Sequence, residues 1–235
     1  MPDTARPGSS RLGIACVWLI GAGLLVIGLN AELHRWTPPP VPPSSAAGAG
    51  AAGAGAAVSA GGRGAGTTAQ RHATGAPMGR SLPVSVTIPA ISVRARIIPL
   101  GLDPGGGVAV PSLSTPFLTS WYDRGPAPGQ AGPAVLFGHV DSAKVGPAVF
   151  YRLGDLRPGD LVYVTRSDRR TAVFKVSAVE MYSEQRFPAR KVYGFTPHPT
   201  LRLITCGGTY DNGTHLYLDR IIAFAVYEGQ KRAPA

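Results

Sequence analysis

The sequence predicts an all-β domain over residues 81–235, behind an apolar N-terminal segment and a linker. Three observations carry this. About eight short runs are dominated by Val, Ile, Phe and Tyr, several of them alternating. Gly, Pro, Asp and Ser bound those runs as turn signals. A single stretch has helical spacing. This pattern fits a closed β-barrel or a sandwich, and the pattern alone does not choose between them.

The runs follow in order. LPVSVTIP (82–89) alternates and is rich in Val and Ile. ISVRARIIPLGL (91–102) follows, and DPGGG (103–107) turns the chain. PAVLFGH (133–139), DLVYVTR (160–166), TAVFKVSAVEMY (171–182), PTLRLITC (199–206) and THLYLDRIIAFAVY (214–227) continue the series. RPGD (157–160) and SDRR (167–170) read as turns. In VFYRLGDL (149–156), Val149, Leu153 and Leu156 are spaced for a helical turn or two.

Ahead of this domain the composition changes twice. Leu12–Leu29 carries no charge and is just long enough for a bilayer core of about 30 Å. Arg6 and Arg11 precede it, and His34 and Arg35 follow, so the positive-inside signal is modest. A cleavable signal peptide would have a shorter apolar core and small residues after it; Asn30, Ala31, Glu32 and Leu33 make a poor cleavage site. Residues 1–36 are therefore expected to be a cytoplasmic stub and an uncleaved transmembrane anchor. Residues 37–80 are almost entirely Pro, Ala, Gly, Ser and Thr and have little to bury, which predicts a disordered tether. His72, within it, is read as solvated. The remaining domain is expected outside the cell and is long enough to be stable alone.

The net charge of +10 is spread along the chain. Short basic groups such as Arg166, Arg169 and Arg170 form neither a stripe nor a known module, so a nucleic-acid partner is excluded. A solvated basic surface is the plain reading, with weak attraction to an anionic envelope as the other.

The cysteine count is more informative. Cys16 lies in the apolar segment and Cys206 in the outer domain, so the two cannot pair. Outer domains use cysteines in pairs, and a leftover thiol points to intermolecular pairing or reactivity. Cys206 ends an apolar strand and opens on GGTYDNG, where a substrate can approach. A thiolate is a strong nucleophile when a basic neighbour favours it; a buried structural cysteine is the alternative. His139 also ends a strand and suits proton transfer near neutral pH, although a strand-end histidine can equally be structural. His198 and His215 read as surface residues. Arg220 sits in a strand that is apolar on both faces, so it needs a partner. That partner is either a carboxylate, such as Asp219 or Asp123, or an oxyanion formed during acyl transfer. No second cysteine or close histidine pair supports zinc.

FGHVDS around His139, LITC ending at Cys206 and DRIIAFA around Arg220 together resemble the sortases, membrane-anchored cysteine transpeptidases of Gram-positive bacteria. The likeness covers about residues 82–227. LITC is similar to the family's T-L-x-T-C, with Arg202 in place of the first Thr. GGTYD resembles the actinobacterial class F group. The resemblance implies a closed eight-stranded β-barrel with one or two short helices. It also implies a reaction. Cys206 attacks the Thr–Gly carbonyl of an LPxTG-like sorting signal and forms a thioester. His139 protonates the leaving amine and Arg220 holds the oxyanion or the substrate backbone. Thr205 hydrogen-bonds in the pocket. The implied partners are surface proteins bearing the signal and a peptidoglycan-precursor amine. No cofactor or metal is expected, and a monomer is. A hydrolase on the same scaffold, or a non-catalytic wall-binding domain, are the competing readings. An L,D-transpeptidase would bring His and Cys close in sequence, unlike His139 and Cys206. Specificity would reside in loops such as 112–132 and 183–199, whose composition does not reveal it.

Overall fold

The computed structural model of the chain describes residues 39–42 and 75–232. The expected anchor, Cys16, His72 and most of the expected tether lie outside the described residues. Among the described residues, no helix is long and apolar enough to cross a membrane.

The chain runs through β1 (Pro83–Ile88), β2 (Val93–Leu100), β3 (Thr119–Tyr122), β4 (Gly132–Gly138), β5 (Asp141–Ser142) and β6 (Gly146–Pro147). It continues with β7 (Leu161–Arg166), β8 (Arg170–Ser183), a short helix α1 (Ala189–Tyr193), β9 (Pro199–Asp211) and β10 (Leu216–Arg232). Eight of these strands close a barrel in the order β1-β2-β3-β4-β9-β10-β8-β7, and β5 and β6 form a separate ribbon. A closed barrel, not a sandwich, is therefore the solution. Closure removes the free strand edges that a sandwich keeps. Two pairings are parallel, β2 with β3 and β4 with β9. Parallel neighbours require long crossovers, and the crossovers carry the loops that surround the site described below.

The strand runs read from the sequence all appear, with two differences. TSWY of β3 was too short to declare itself. GGTYD, read as a loop, instead prolongs β9, because Asp211 and Tyr210 pair with Leu216 and Tyr217 of β10. The helical spacing at 149–156 yields only a 3-10 turn, Leu153–Asp155.

The apolar residues divide between two faces. Inside the barrel, Val86, Trp121, Leu136, Phe174, Leu203, Ile221 and Tyr227 form the main core, with Phe174 and Tyr227 edge to face at 5.6 Å. Outside it, Val135 of β4, Ile204 of β9 and Ile222 and Phe224 of β10 form a second cluster with Val192 of α1. The helix thus covers one sector of the outer barrel surface. Burial on both faces explains why β4, β9 and β10 read as continuous apolar runs instead of alternating ones.

Arg202 lies on this covered outer face. Its guanidinium stacks on the Phe224 ring at 4.9 Å and donates to the carbonyls of Lys191 and Leu201. Burial pushes its pKa down to about 10. The arginine that replaces the expected threonine therefore ties β9 to α1. The helix has a second tie: Lys191 Nζ reaches both oxygens of Glu180, at 2.6 and 2.7 Å, and the Tyr182 hydroxyl at 3.0 Å.

Residues 78–80 pack on the barrel. Met78 is buried, and its amide donates to Gly129 O at 2.8 Å. Arg80 donates to the carbonyls of Asp123 and Gly125. The buried Arg166 donates to those of Pro128 and Gly79, both at 2.6 Å. Further upstream, the backbone at Pro40 lies so close to Gly154 that a methyl group on Gly154 would come within 2.1 Å of Pro40 O.

Candidate active site

Strand register builds the site. Phe137 of β4 pairs with Ile204 of β9, and Ile204 pairs with Ile222 of β10. That row belongs to the outer apolar cluster. Two residues further along β9 and β10, on the same face, come Cys206 and Arg220, which are direct partners. The period of two puts both on the outer surface, one row past the covered cluster. His139 follows the end of β4, two residues past Phe137, the last residue of β4 to pair with β9. All three are partly exposed. Cys206 and Arg220 thus meet at the rim of an apolar patch, with His139 at the end of the neighbouring strand.

Small residues make room for these side chains. A Cβ on Gly138 would meet Phe150 at 2.6 Å and Val149 at 2.7 Å. The close approach lets the Phe150 amide bond His139 O at 2.9 Å and hold the histidine backbone. After the cysteine, a Cβ on Gly207 would meet Ile221 at 2.5 Å. Gly208 has φ +71°, and a Cβ there would lie 2.0 Å from an Asp219 oxygen. The β9–β10 register shifts at this point. The two glycines after Cys206 thus serve a bulge that brings β10 tightly alongside the thiol.

Arg220 Nη1 donates to the Sγ of Cys206, and its Nε pairs with Glu184 Oε2 at 2.7 Å. Of the two partners anticipated for the arginine, a carboxylate is present, and the guanidinium also reaches the cysteine sulfur. The carboxylate is Glu184, not Asp219 or Asp123. Burial pushes the Cys206 thiol above its ordinary value. Arg220 opposes this, while the negative charges of Glu184 and Asp141 reinforce it. The balance of these effects favours the thiol over the thiolate.

The His139 ring meets the β2–β3 connection, with Nε2 2.6 Å from the carbonyl of Pro111. A carbonyl only accepts, so Nε2 carries a hydrogen and Nδ1 is left for proton traffic. Asp141, two residues on, accepts from the Tyr217 hydroxyl. Tyr217 packs edge to face on Tyr210 at 5.1 Å, which walls the site on the β9–β10 side.

Thr205 is not brought to this site. It lies on the opposite face of β9, with Leu203, and is buried. Its Oγ1 has no hydrogen-bond partner. His198 and His215 are exposed, as the sequence implied. Glu184 and Pro111 had no sequence signal, since each acts from a connection remote in the chain. Asp141 was visible only as part of FGHVDS. Among the described residues, no three His, Cys, Asp or Glu side chains gather as metal ligands.

The arrangement offers a thiol beside a fixed cation, with a histidine at the end of the neighbouring strand, residue types that suit acyl transfer through a thioester. Comparison with solved structures places the fold. The sortase C of Streptococcus pneumoniae superposes with a TM-score of 0.50 at 17% identity, over 65% of this chain and 69% of that one. The sortase A of Listeria monocytogenes gives 0.49 at 15% identity, over 66% and 91%. A lid mutant of sortase A from Corynebacterium diphtheriae gives 0.48 at 20%, over 64% and 72%. No curated protein sequence matches. The family model described as a sortase domain matches residues 86–228, more than half of the chain, His139, Cys206 and Arg220 included. The chain belongs to the sortases, a family of cysteine transpeptidases.

Proposed function

We propose that this sortase is anchored in the cell membrane by Leu12–Leu29, faces outward, and cleaves an LPxTG-like sorting signal between Thr and Gly. The single observation that carries the catalytic part is the Cys206–Arg220 pair across β9 and β10, with His139 at the end of the neighbouring β4. The anchor and the outward orientation rest on the apolar N-terminal run and its flanking charges. Class F character rests on GGTYD after the cysteine.

The chemistry follows from the protonation states. His139 takes the Cys206 proton as the sulfur attacks the Thr carbonyl carbon. The carbonyl oxygen becomes negative, and the Arg220 guanidinium stabilises it. The C–N bond breaks, His139 delivers its proton to the leaving amine, and a thioester remains on Cys206. An incoming amine, that of a peptidoglycan precursor, then loses its proton to His139 and attacks the thioester. The C–S bond breaks and the thiol is restored. Surface proteins bearing the signal are the donors. Thr205, buried on the inner face of β9, would shape the strand beneath the nucleophile and not hydrogen-bond the peptide.

The test is direct. The purified full-length chain is incubated with LPxTG and LAxTG peptides, with and without a glycine-type amine, and products are followed by mass spectrometry. Cleaved or amine-joined peptide that vanishes in Cys206→Ala is expected. A folded, thiol-reactive protein that yields no product from any peptide would refute this substrate class.

A further inference from the structure

Arg220 has a second anchor that the reaction as described does not use. Glu184 lies on the 3-10 turn Glu184–Arg186, in the connection from β8 to α1. Its carboxylate holds Arg220 Nε at 2.7 Å, with side-chain exposures of 30% for the arginine and 52% for the glutamate. The opposite end of the same guanidinium donates to Cys206 Sγ through Nη1. A planar guanidinium fastened at Nε and Nη1 cannot rotate about its long axis, and Nη2 keeps its hydrogens for another acceptor.

We propose that Glu184 is the positioning residue of Arg220, fixing the guanidinium so that its Nη end faces the Cys206 sulfur and the acyl oxygen. The proposal rests on the catalytic reading above.

The arrangement carries an electrostatic penalty that makes it testable. The charged groups facing Cys206 are Arg220 from β10, Glu184 from the β8–α1 connection and Asp141 from β5, with Asp219 beside the glycine bulge. Glu184 disfavours the thiolate directly and partly neutralises the one cation that favours it. A residue kept solely to raise thiol reactivity would not be a carboxylate. A positioning residue would be, because a carboxylate makes the stronger, more directional bond to Nε.

The test compares wild type, Glu184→Gln and Glu184→Ala, in the full-length chain, by two readouts: peptide cleavage and the pH profile of Cys206 alkylation by iodoacetamide. Cleavage is expected to fall about tenfold or more in Glu184→Ala, and less in Glu184→Gln, which can still accept from Nε. The alkylation profile is expected to move to lower pH in Glu184→Gln, which removes the charge but keeps Arg220 anchored, and to lie at higher pH in Glu184→Ala than in Glu184→Gln, because the arginine is then also freed. In an Arg220→Ala background the cleavage effect of Glu184→Ala should disappear. Glu184 is half exposed, so unchanged melting temperatures are expected and would exclude unfolding. Cleavage at or above the wild-type rate in Glu184→Ala would overturn the proposal, since Glu184 would then be a restraint. So would alkylation profiles that coincide in Glu184→Gln and Glu184→Ala. If wild type cleaves no peptide, the substrate reading fails by itself, while the difference between the Glu184→Gln and Glu184→Ala alkylation profiles still decides whether Glu184 acts through Arg220.

Discussion

Arg220 and Cys206 are direct partners across β10 and β9, and the Nη1 of one donates to the Sγ of the other. A side-chain contact between paired positions of two strands is held by the ladder itself. It does not depend on a loop adopting one conformation. The nucleophile and its cation are therefore preorganised.

Losing this cation should cost most of the activity. Arg220→Ala is expected to lower the rate of peptide cleavage by about 10²–10³, the usual effect of removing one oxyanion donor. Arg220→Lys should recover little of it, because an ammonium cannot hold the sulfur and Glu184 together through one plane. Steady-state cleavage of a fluorogenic peptide checks both.

The pH dependence of the thiol has a definite sign. Burial raises Cys206, with Glu184 and Asp141 adding to it and Arg220 opposing. Alkylation should therefore be slow at pH 7 and rise at a pH above the ordinary thiol range. Arg220→Ala should move the rise still higher. Because the folded-state value exceeds the unfolded one, stability is unaffected at low pH. It declines as the pH climbs from the unfolded thiol value through the folded one. Between pH 7 and 10 the wild type should lose more melting temperature than Cys206→Ala does.

Gly138 should tolerate no side chain. A Cβ there would lie 2.6 Å from the fully buried ring of Phe150. Gly138→Ala is expected to destabilise the fold by about 1–3 kcal/mol through overpacking and to displace His139. Urea unfolding measures the first effect, and loss of peptide cleavage at a temperature where the variant is folded measures the second.

The tie between α1 and β8 should weaken in acid. Burial works against the Glu180 carboxylate, but hydrogen bonds from Lys191 and Tyr182 outweigh it and hold its pKa below the ordinary value. A lowered folded-state value means that the stabilisation is present above the unfolded carboxylate value and is lost as the pH falls through the folded one. The pair is largely solvated, so about 1 kcal/mol or less is at stake. Amide exchange of residues 189–193 should quicken as the pH drops through that range. In Glu180→Gln it should already be quick at pH 7 and insensitive to acid.

How far the chain explained itself varies by residue. Cys206 could be picked out because an unpaired thiol in a domain of this kind is unusual, and Arg220 because a cation in an apolar strand needs a partner. Both arguments use only local chemistry. The pocket role of Thr205 came from the family resemblance; next to Cys206 in sequence, it lies on the opposite face of the strand. Local reasoning could not find Glu184, whose importance comes entirely from where a distant turn lands.

The sequence by itself determined the strand-rich composition of the domain, the positions of its turns, and the three residue types able to carry acyl transfer. These follow from side-chain period, backbone preference and intrinsic reactivity, which act over a few residues. Only the tertiary structure decided that the strands close into a barrel, that Cys206 and Arg220 are outward-facing partners with His139 at the end of the neighbouring strand, and that Glu184 holds the arginine. Those depend on register between strands far apart in the chain, such as Phe137 with Ile204. A slip of one residue in that register would turn Cys206 into the barrel and Thr205 out to the substrate. Register is set by the packing of two apolar faces at once, inside the barrel and beneath α1, and no local stretch contains that information.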